Sequence, residues 1–367
     1  MGPCLLLAAP PTWWSTWRSH VDESIGAPGE KVETTQTTSE HALEIACDES
    51  GWEGSNLVTG NSDVIAHASI RLPIDEAAEG IRVLRGRPDR HSYEFKASHL
   101  IRAKGAAELL GPDGPVYGRA TVHLTHKSCF VLGRILDMFI GGWADVASVG
   151  LRPEKRVAEL AASLCRAGPD TFGREPWRAF MVAANVVLRA DRRGLVREPV
   201  DAFFGQVELL RTLSGGGLLD GLGDVTREAY AARKRLLDEH MLHPVLEPLI
   251  PALARTVLYW SHGVRPVAVI HDEQSALTER RMRRLERILA DPPLELIRLP
   301  DLGRFLQFRQ VDSRTDPRVQ VADLLAGVAR KVAADELLGR RDPQLTALLR
   351  PYLDPASRWC RQLAGII

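Results

Sequence analysis

From Ala42 onward the chain alternates: Leu43, Ile45 and Cys47 are apolar and out of phase with Ala42, Glu44, Ala46 and Asp48. A period of two predicts a strand, with Asp48 on the same face as Ala46. The run ends in Asp48-Glu49-Ser50-Gly51, two adjacent carboxylates followed by a turn. The segments NLVTG and SDVIAHASIRL predict two strands joined at Gly60-Asn61. HSYEFKASHLIRAKGAAELL has helical periodicity, and VYGRATVHLTHKS returns to strand.

Between about Val131 and His262 the period is helical almost throughout. RVAELAASLCRAG, WRAFMVAANVVLRAD, VDAFFGQVELLRTL and LEPLIPALARTVLYWSHG each carry one apolar face and are separated by Gly or Pro, with SGGGLLDGLGD the most flexible-looking break. After Gly263, RPVAVIHDEQ predicts a short buried strand ending in charges. ERRMRRLERILA predicts an arginine-rich helix and LELIRLP a further strand. DPRVQVADLLAGVARKVAADELLG predicts a helix opened by Asp316 as N-cap and Pro317 in the first turn. This order implies a layered α/β domain with a large helical insertion. Its parts are a poorly ordered leader over 1–40, a first part over 41–130, the insertion over 131–262, a second part over 263–340 and a helical tail over 341–367.

The composition, 45% apolar and 26% charged, is that of an ordinary soluble domain. Basic and acidic residues number 47 each, which argues against non-specific coating of nucleic acid but leaves room for a local basic groove. No apolar run reaches the roughly 18 residues of a membrane span. The short apolar run in MGPCLLLAAPPTWW has no basic residues before it, so a secretory signal is not expected. The five cysteines are scattered and odd in number, with no CxxC pair. They predict neither a zinc site nor a disulfide framework, and a reduced cytoplasmic setting.

Four acidic residues sit where their neighbours predict burial: Asp48, Glu94, Asp272 and Asp323. A buried carboxylate is costly unless it is paired or holds a cation. Each has a bland reading. Asp323 lies opposite the stripe of Val321, Leu324, Leu325, Val328 and Val332, as a solvated residue would, yet beside small Gly327 and Ala334 that admit a second surface. Asp272 follows His271, and adjacent strand residues point to opposite faces, so the two would not ligate one ion from a regular strand. Glu94 reads equally as a partner of Lys96 or as a helix-start charge. The five arginines at 280, 281, 283, 284 and 287 fit either phosphate contacts or a solvated face paired with Glu279 and Glu286.

Taken in order, ACDESG, YEFKAS, VIHDEQ and DSRTDPRVQVADLLAG resemble the bacterial family known as domain of unknown function 3800, over residues 42–106 and 263–335. That family is in turn similar to ribonuclease H-like nucleases. The resemblance implies a ribonuclease H-like mixed sheet flanked by helices, with Asp48, Glu94, Asp272 and Asp323 as catalytic residues and metal ligands. It also implies two Mg²⁺ or Mn²⁺ ions, hydrolysis of DNA or RNA, and supporting roles for Glu49, Lys96, Glu273 and Gln320. Arg280, Arg281, Arg283 and Arg284 would then face nucleic acid. One departure stands out: the strand VHLTHKS offers His126 and Lys127 where ribonuclease H carries its third acid, and Asp272 arrives only after the insertion. The alternatives are a non-catalytic scaffold that binds nucleic acid or a protein partner, and a hydrolase of a small phosphorylated substrate. A role in defence against mobile elements rests on analogy.

Overall fold

A computed structural model of the chain describes residues 42–85, 100, 103–139, 155–189, 197–214, 246–290 and 304–357. The leader, Glu94 and Lys96, the segment LELIRLP and the glycine-rich break after Ser214 lie outside the described residues. Five strands, β1 (Leu43–Ser50), β2 (Val64–Ile70), β3 (Ala120–His126), β4 (Val267–Asp272) and β5 (Phe305–Val311), form one sheet in the order β3-β2-β1-β4-β5. β2 is antiparallel to both β1 and β3, whereas β1, β4 and β5 run parallel. The carboxyl ends of the three parallel strands therefore share one edge, where α/β sheets bind ligands.

Helices cover both faces. The described residues place α1 (Ile74–Arg85), α2 (Ala103–Leu110), α9 (Pro317–Leu337) and α10 (Pro343–Leu349) on one side, against Ala46, Ala66, Ala68, Val122 and Ile270. The other side carries α3 (Lys127–Phe139), α4 (Lys155–Phe172), α5 (Arg174–Arg189), α6 (Arg197–Ser214), α7 (Leu249–Ser261) and α8 (Glu279–Ala290), against Ile45, Cys47, Ile65, Val267 and Val269. The alternation in β1 thus sorts residues between two cores and not between core and solvent. Every residue of β2 is buried for that reason. After α10 the chain is not simply helical: it runs back beside β3, pairing Leu353 with Val122, and Asp354 reaches His123 at 2.9 Å.

Asp316 caps α9 as its sequence predicts, accepting from the Arg318 N–H at 3.0 Å. The Arg318 guanidinium meets Asp316 at 2.7 Å and Glu44 at 2.9 Å, tying the helix start to the start of β1. Beyond the apolar stripe, Ala322, Ala326, Gly327 and Ala329 are also buried, because α9 lies between the sheet and neighbouring helices. The face that carries Asp323 is therefore partly covered, with Asp323 itself half-buried.

Three expectations need correction. NLVTG is not a strand: the 51–63 segment is a loop, held by the Glu53 carboxylate, which accepts from the Asn61 N–H at 2.9 Å and its side-chain amide at 3.2 Å. β5 was not foreseen. The register shifts there, Val267 pairing with Phe305 and Ala268 with Gln307, so Leu306 is an extra residue and Phe305 and Phe308 fall three apart. Finally, Cys129 and Cys165 are joined by a disulfide, with a Cα–Cα distance of 5.6 Å, although 36 residues separate them.

Gly51 explains why the acidic pair is followed by glycine. Its φ is +91°, and a Cβ would lie 2.3 Å from the Val64 carbonyl oxygen and 2.6 Å from Arg330 Cδ. Gly51→Ala is expected to cost about 2 kcal/mol or more, from left-handed strain together with backbone contact. A denaturant midpoint equal to the wild type would contradict this close approach.

Candidate metal centre

Asp48 is only 6% exposed and stands near the carboxyl end of β1. Register brings it beside Asp272: the last β1–β4 pair is Cys47 with His271, and these acids follow one residue later. α9 carries Asp323 over the same strand end. Burial pushes the Asp48 carboxyl well above its ordinary range, and the nearby Glu49, Asp323 and Asp272 charges push it further. The Glu49 N–H, donating to Asp48 Oδ1 at 2.7 Å, offsets part of this. Asp272 of β4 and Asp323 of α9 thus lie near enough to this buried strand end for their charges to act on Asp48.

A second set of donors lies around the same tip. Glu49 is cross-strand from His67, on the face shared by Cys47 and His271. Its Oε1 accepts from the Gln274 side-chain amide, while Oε2 is buried without a hydrogen-bond partner. His271 Nδ1 lies 2.9 Å from the Asp272 carbonyl oxygen, an acceptor, so Nδ1 carries the proton. Nε2 is also buried without a hydrogen bond, 3.6 Å from Glu49 Oε2, an ion pair when the ring carries a second proton. One donor atom each from Asp48, Glu49 and His271 fall within 4.8 Å of one another. Two buried electron-pair donors facing each other repel unless a proton or a cation lies between them.

The surroundings hold these groups in place. Asp272 Oδ1 accepts from the Ser313 N–H at 2.9 Å, and the Gln320 amide donates to the Ser313 carbonyl at 2.8 Å. Gln310 accepts from the Gln274 N–H at 2.8 Å and donates to the Leu277 carbonyl at 2.6 Å, fixing the loop after β4. Glu247, at the entry to α7, accepts from Trp52 Nε1 at 3.1 Å and from the Leu249 N–H at 3.2 Å. Burial nevertheless raises its carboxyl to about 7, with the Glu49 charge adding to the rise.

Of the residues singled out in the sequence, Asp48, Asp272 and Asp323 come together, Glu49 joins them, and Gln320 supports them through Ser313. Glu273 is exposed. The arginines of α8 divide: Arg281 donates to the Ala276 carbonyl at 2.6 Å, Arg283 pairs with Glu279 at 2.5 Å, and Arg284 is half-buried. Arg280 and Arg287 remain exposed. His271 and Gln274 were missed as site residues. Alternation set His271 apart from Asp272, and pairing shows that it is Glu49 that shares its face. Only the parallel pairing of β1 with β4 reveals this.

Compared with known protein families, curated proteins and solved structures, the chain matches none of the three. No helix among the described residues is long and apolar enough to cross a membrane.

Proposed function

We propose that the chain is a divalent-metal-dependent nuclease of ribonuclease H-like fold, as its resemblance to the domain of unknown function 3800 family implies. One observation carries the reading: donor atoms of Asp48, Glu49 and His271 lie within 4.8 Å of one another at a strand end where the Asp272 and Asp323 charges also act on Asp48. The residues fit a cation on the chemistry of the donor set, since hard carboxylate oxygens suit Mg²⁺ and Mn²⁺. An imidazole nitrogen among them shifts the preference from Mg²⁺ toward Mn²⁺. Asp48 belongs to both sets, with Asp272 and Asp323 on one side and Glu49 and His271 on the other, so it is the residue that two ions would share.

Bound ions would supply a deprotonated water and charge neutralisation for in-line hydrolysis of a phosphodiester. The chain's own part is positional. Ser313 N–H orients Asp272, Gln274 orients Glu49, and the Asp272 carbonyl fixes which His271 nitrogen is available. Asp48 must lose its proton before it can hold a cation, so cation affinity rises with pH. The exposed Arg280 and Arg287 are available to backbone phosphates.

The test is incubation of single- and double-stranded DNA and RNA with the chain in Mn²⁺ or Mg²⁺. Cleavage that needs the metal and falls at least about 10-fold in Asp323→Asn supports the proposal. Cleavage that survives chelation or is unchanged by the substitution contradicts it, and metal binding with no cleavage of any of these polymers favours a non-catalytic scaffold. Gln320→Ala is expected to lower cleavage by about 10- to 100-fold, the cost of losing an outer partner of a metal ligand. Unchanged cleavage would show that Ser313 needs no such support.

A further inference from the structure

Away from the acidic centre, three softer donors meet at another point of the same sheet edge. His126 is the last residue of β3, α3 begins at once with Lys127, and Cys129 falls in its first turn. Cys165 comes from α4 and is joined to Cys129 by the disulfide. His126 Nδ1 lies 2.9 Å from Cys129 Sγ and 3.3 Å from Cys165 Sγ, and the three donor atoms lie within 4.8 Å of one another. All three residues are half-buried. The site is distinct from the acidic centre: β2 lies between β3 and β1, which places it roughly 10 Å away across the sheet.

We propose that His126, Cys129 and Cys165 form a redox-gated zinc site that staples α4 of the helical region to the end of β3. One imidazole nitrogen and two sulfurs are a soft donor set, suited to Zn²⁺ and poorly suited to Mg²⁺ or Mn²⁺. Three protein ligands leave a fourth position for water or a further group. The disulfide seen here is the oxidised state. A dithiol reductant opens it by giving up two electrons and two protons and becoming a disulfide itself, leaving Cys129 and Cys165 as thiols. Zn²⁺ then displaces one proton from each thiol, forming two zinc–thiolate bonds, and takes the His126 Nδ1 lone pair as its third ligand. Re-forming the S–S bond withdraws both thiolates, so the metal and the disulfide exclude each other.

Co²⁺ is the probe, because thiolate ligands give it a charge-transfer absorption that carboxylates do not. The full chain is reduced with a phosphine, which does not compete for the metal, and titrated with Co²⁺ in excess Mg²⁺. One equivalent of Co²⁺ is expected to bind with thiolate absorption, to be displaced by Zn²⁺ and to be lost when a thiol oxidant closes the disulfide. Cys165→Ser should lose the band. His126→Ala, which keeps both thiols, should weaken Co²⁺ binding at least about 10-fold while circular dichroism shows the fold retained. A reduced wild-type chain without the band overturns the proposal, as does a band unchanged in Cys165→Ser or an affinity unchanged in His126→Ala.

Discussion

Asp48→Asn is expected to abolish metal-dependent phosphodiester cleavage, with a loss exceeding the roughly 10- to 100-fold that an outer partner costs. Asp48 is shared by the two donor sets, so its loss weakens both at once, whereas Asp323→Asn removes a donor from one set only. The amide keeps the size of the carboxylate and can still accept from the Glu49 N–H, which now bonds Oδ1 at 2.7 Å. A folding defect is therefore not the expected cause. Steady-state cleavage at saturating Mn²⁺ checks the ordering: Asp48→Asn should fall below Asp323→Asn, and equal rates would mean that Asp48 is not shared.

The same substitution is expected to stabilise the metal-free protein at neutral pH, by about 1–3 kcal/mol, the range for a buried polar group short of partners. The direction follows from Asp48's raised carboxyl. Its ordinary value is 3.8 and its folded value is well above that. Below the ordinary value both folded and unfolded chains hold the proton, and Asp48 contributes its full stability. As pH rises the unfolded chain ionises first, so stability is lost from about 4 upward through the raised folded value. Asn has no proton to lose. The difference in melting temperature between variant and wild type should thus be near zero at acid pH and grow toward neutral pH. Glu247, raised from 4.5 to about 7, loses stability in the same sense, but it does so in both proteins and cancels in the comparison. Mn²⁺ should then raise the melting temperature of the wild type and not of the variant. A variant less stable than the metal-free wild type at neutral pH would mean that the acids are already compensated.

How much of this was legible in the sequence differs by element. The Asp48 strand end could be read because a two-residue period survives in Leu43–Cys47, and α9 because Asp316-Pro317 and its apolar stripe are local signals. β5 was hidden by the extra residue at Leu306, which sets Phe305 and Phe308 at a spacing of three. His271 and Gln274 were hidden by distance along the chain: Gln274 holds Glu49 across 225 residues, a contact made only when β4 pairs with β1. The disulfide was hidden for the same reason, since nothing local to Cys129 or Cys165 shows that α4 folds back onto the start of α3. That Asp323 is half-buried and not fully solvated could not be read, because one helical stripe cannot show that α9 is covered on a second side.

The measurement that bears most directly on the central claim is a calorimetric titration of Mn²⁺ into the wild type and Asp48→Asn at neutral pH. The wild type is predicted to bind Mn²⁺ at millimolar affinity or tighter and to release a proton as it does so, with no binding by the variant. Wild-type heats no different from dilution, or equal binding by both proteins, would contradict the account. Asp48 would then be a buried strand-end acid without a cation.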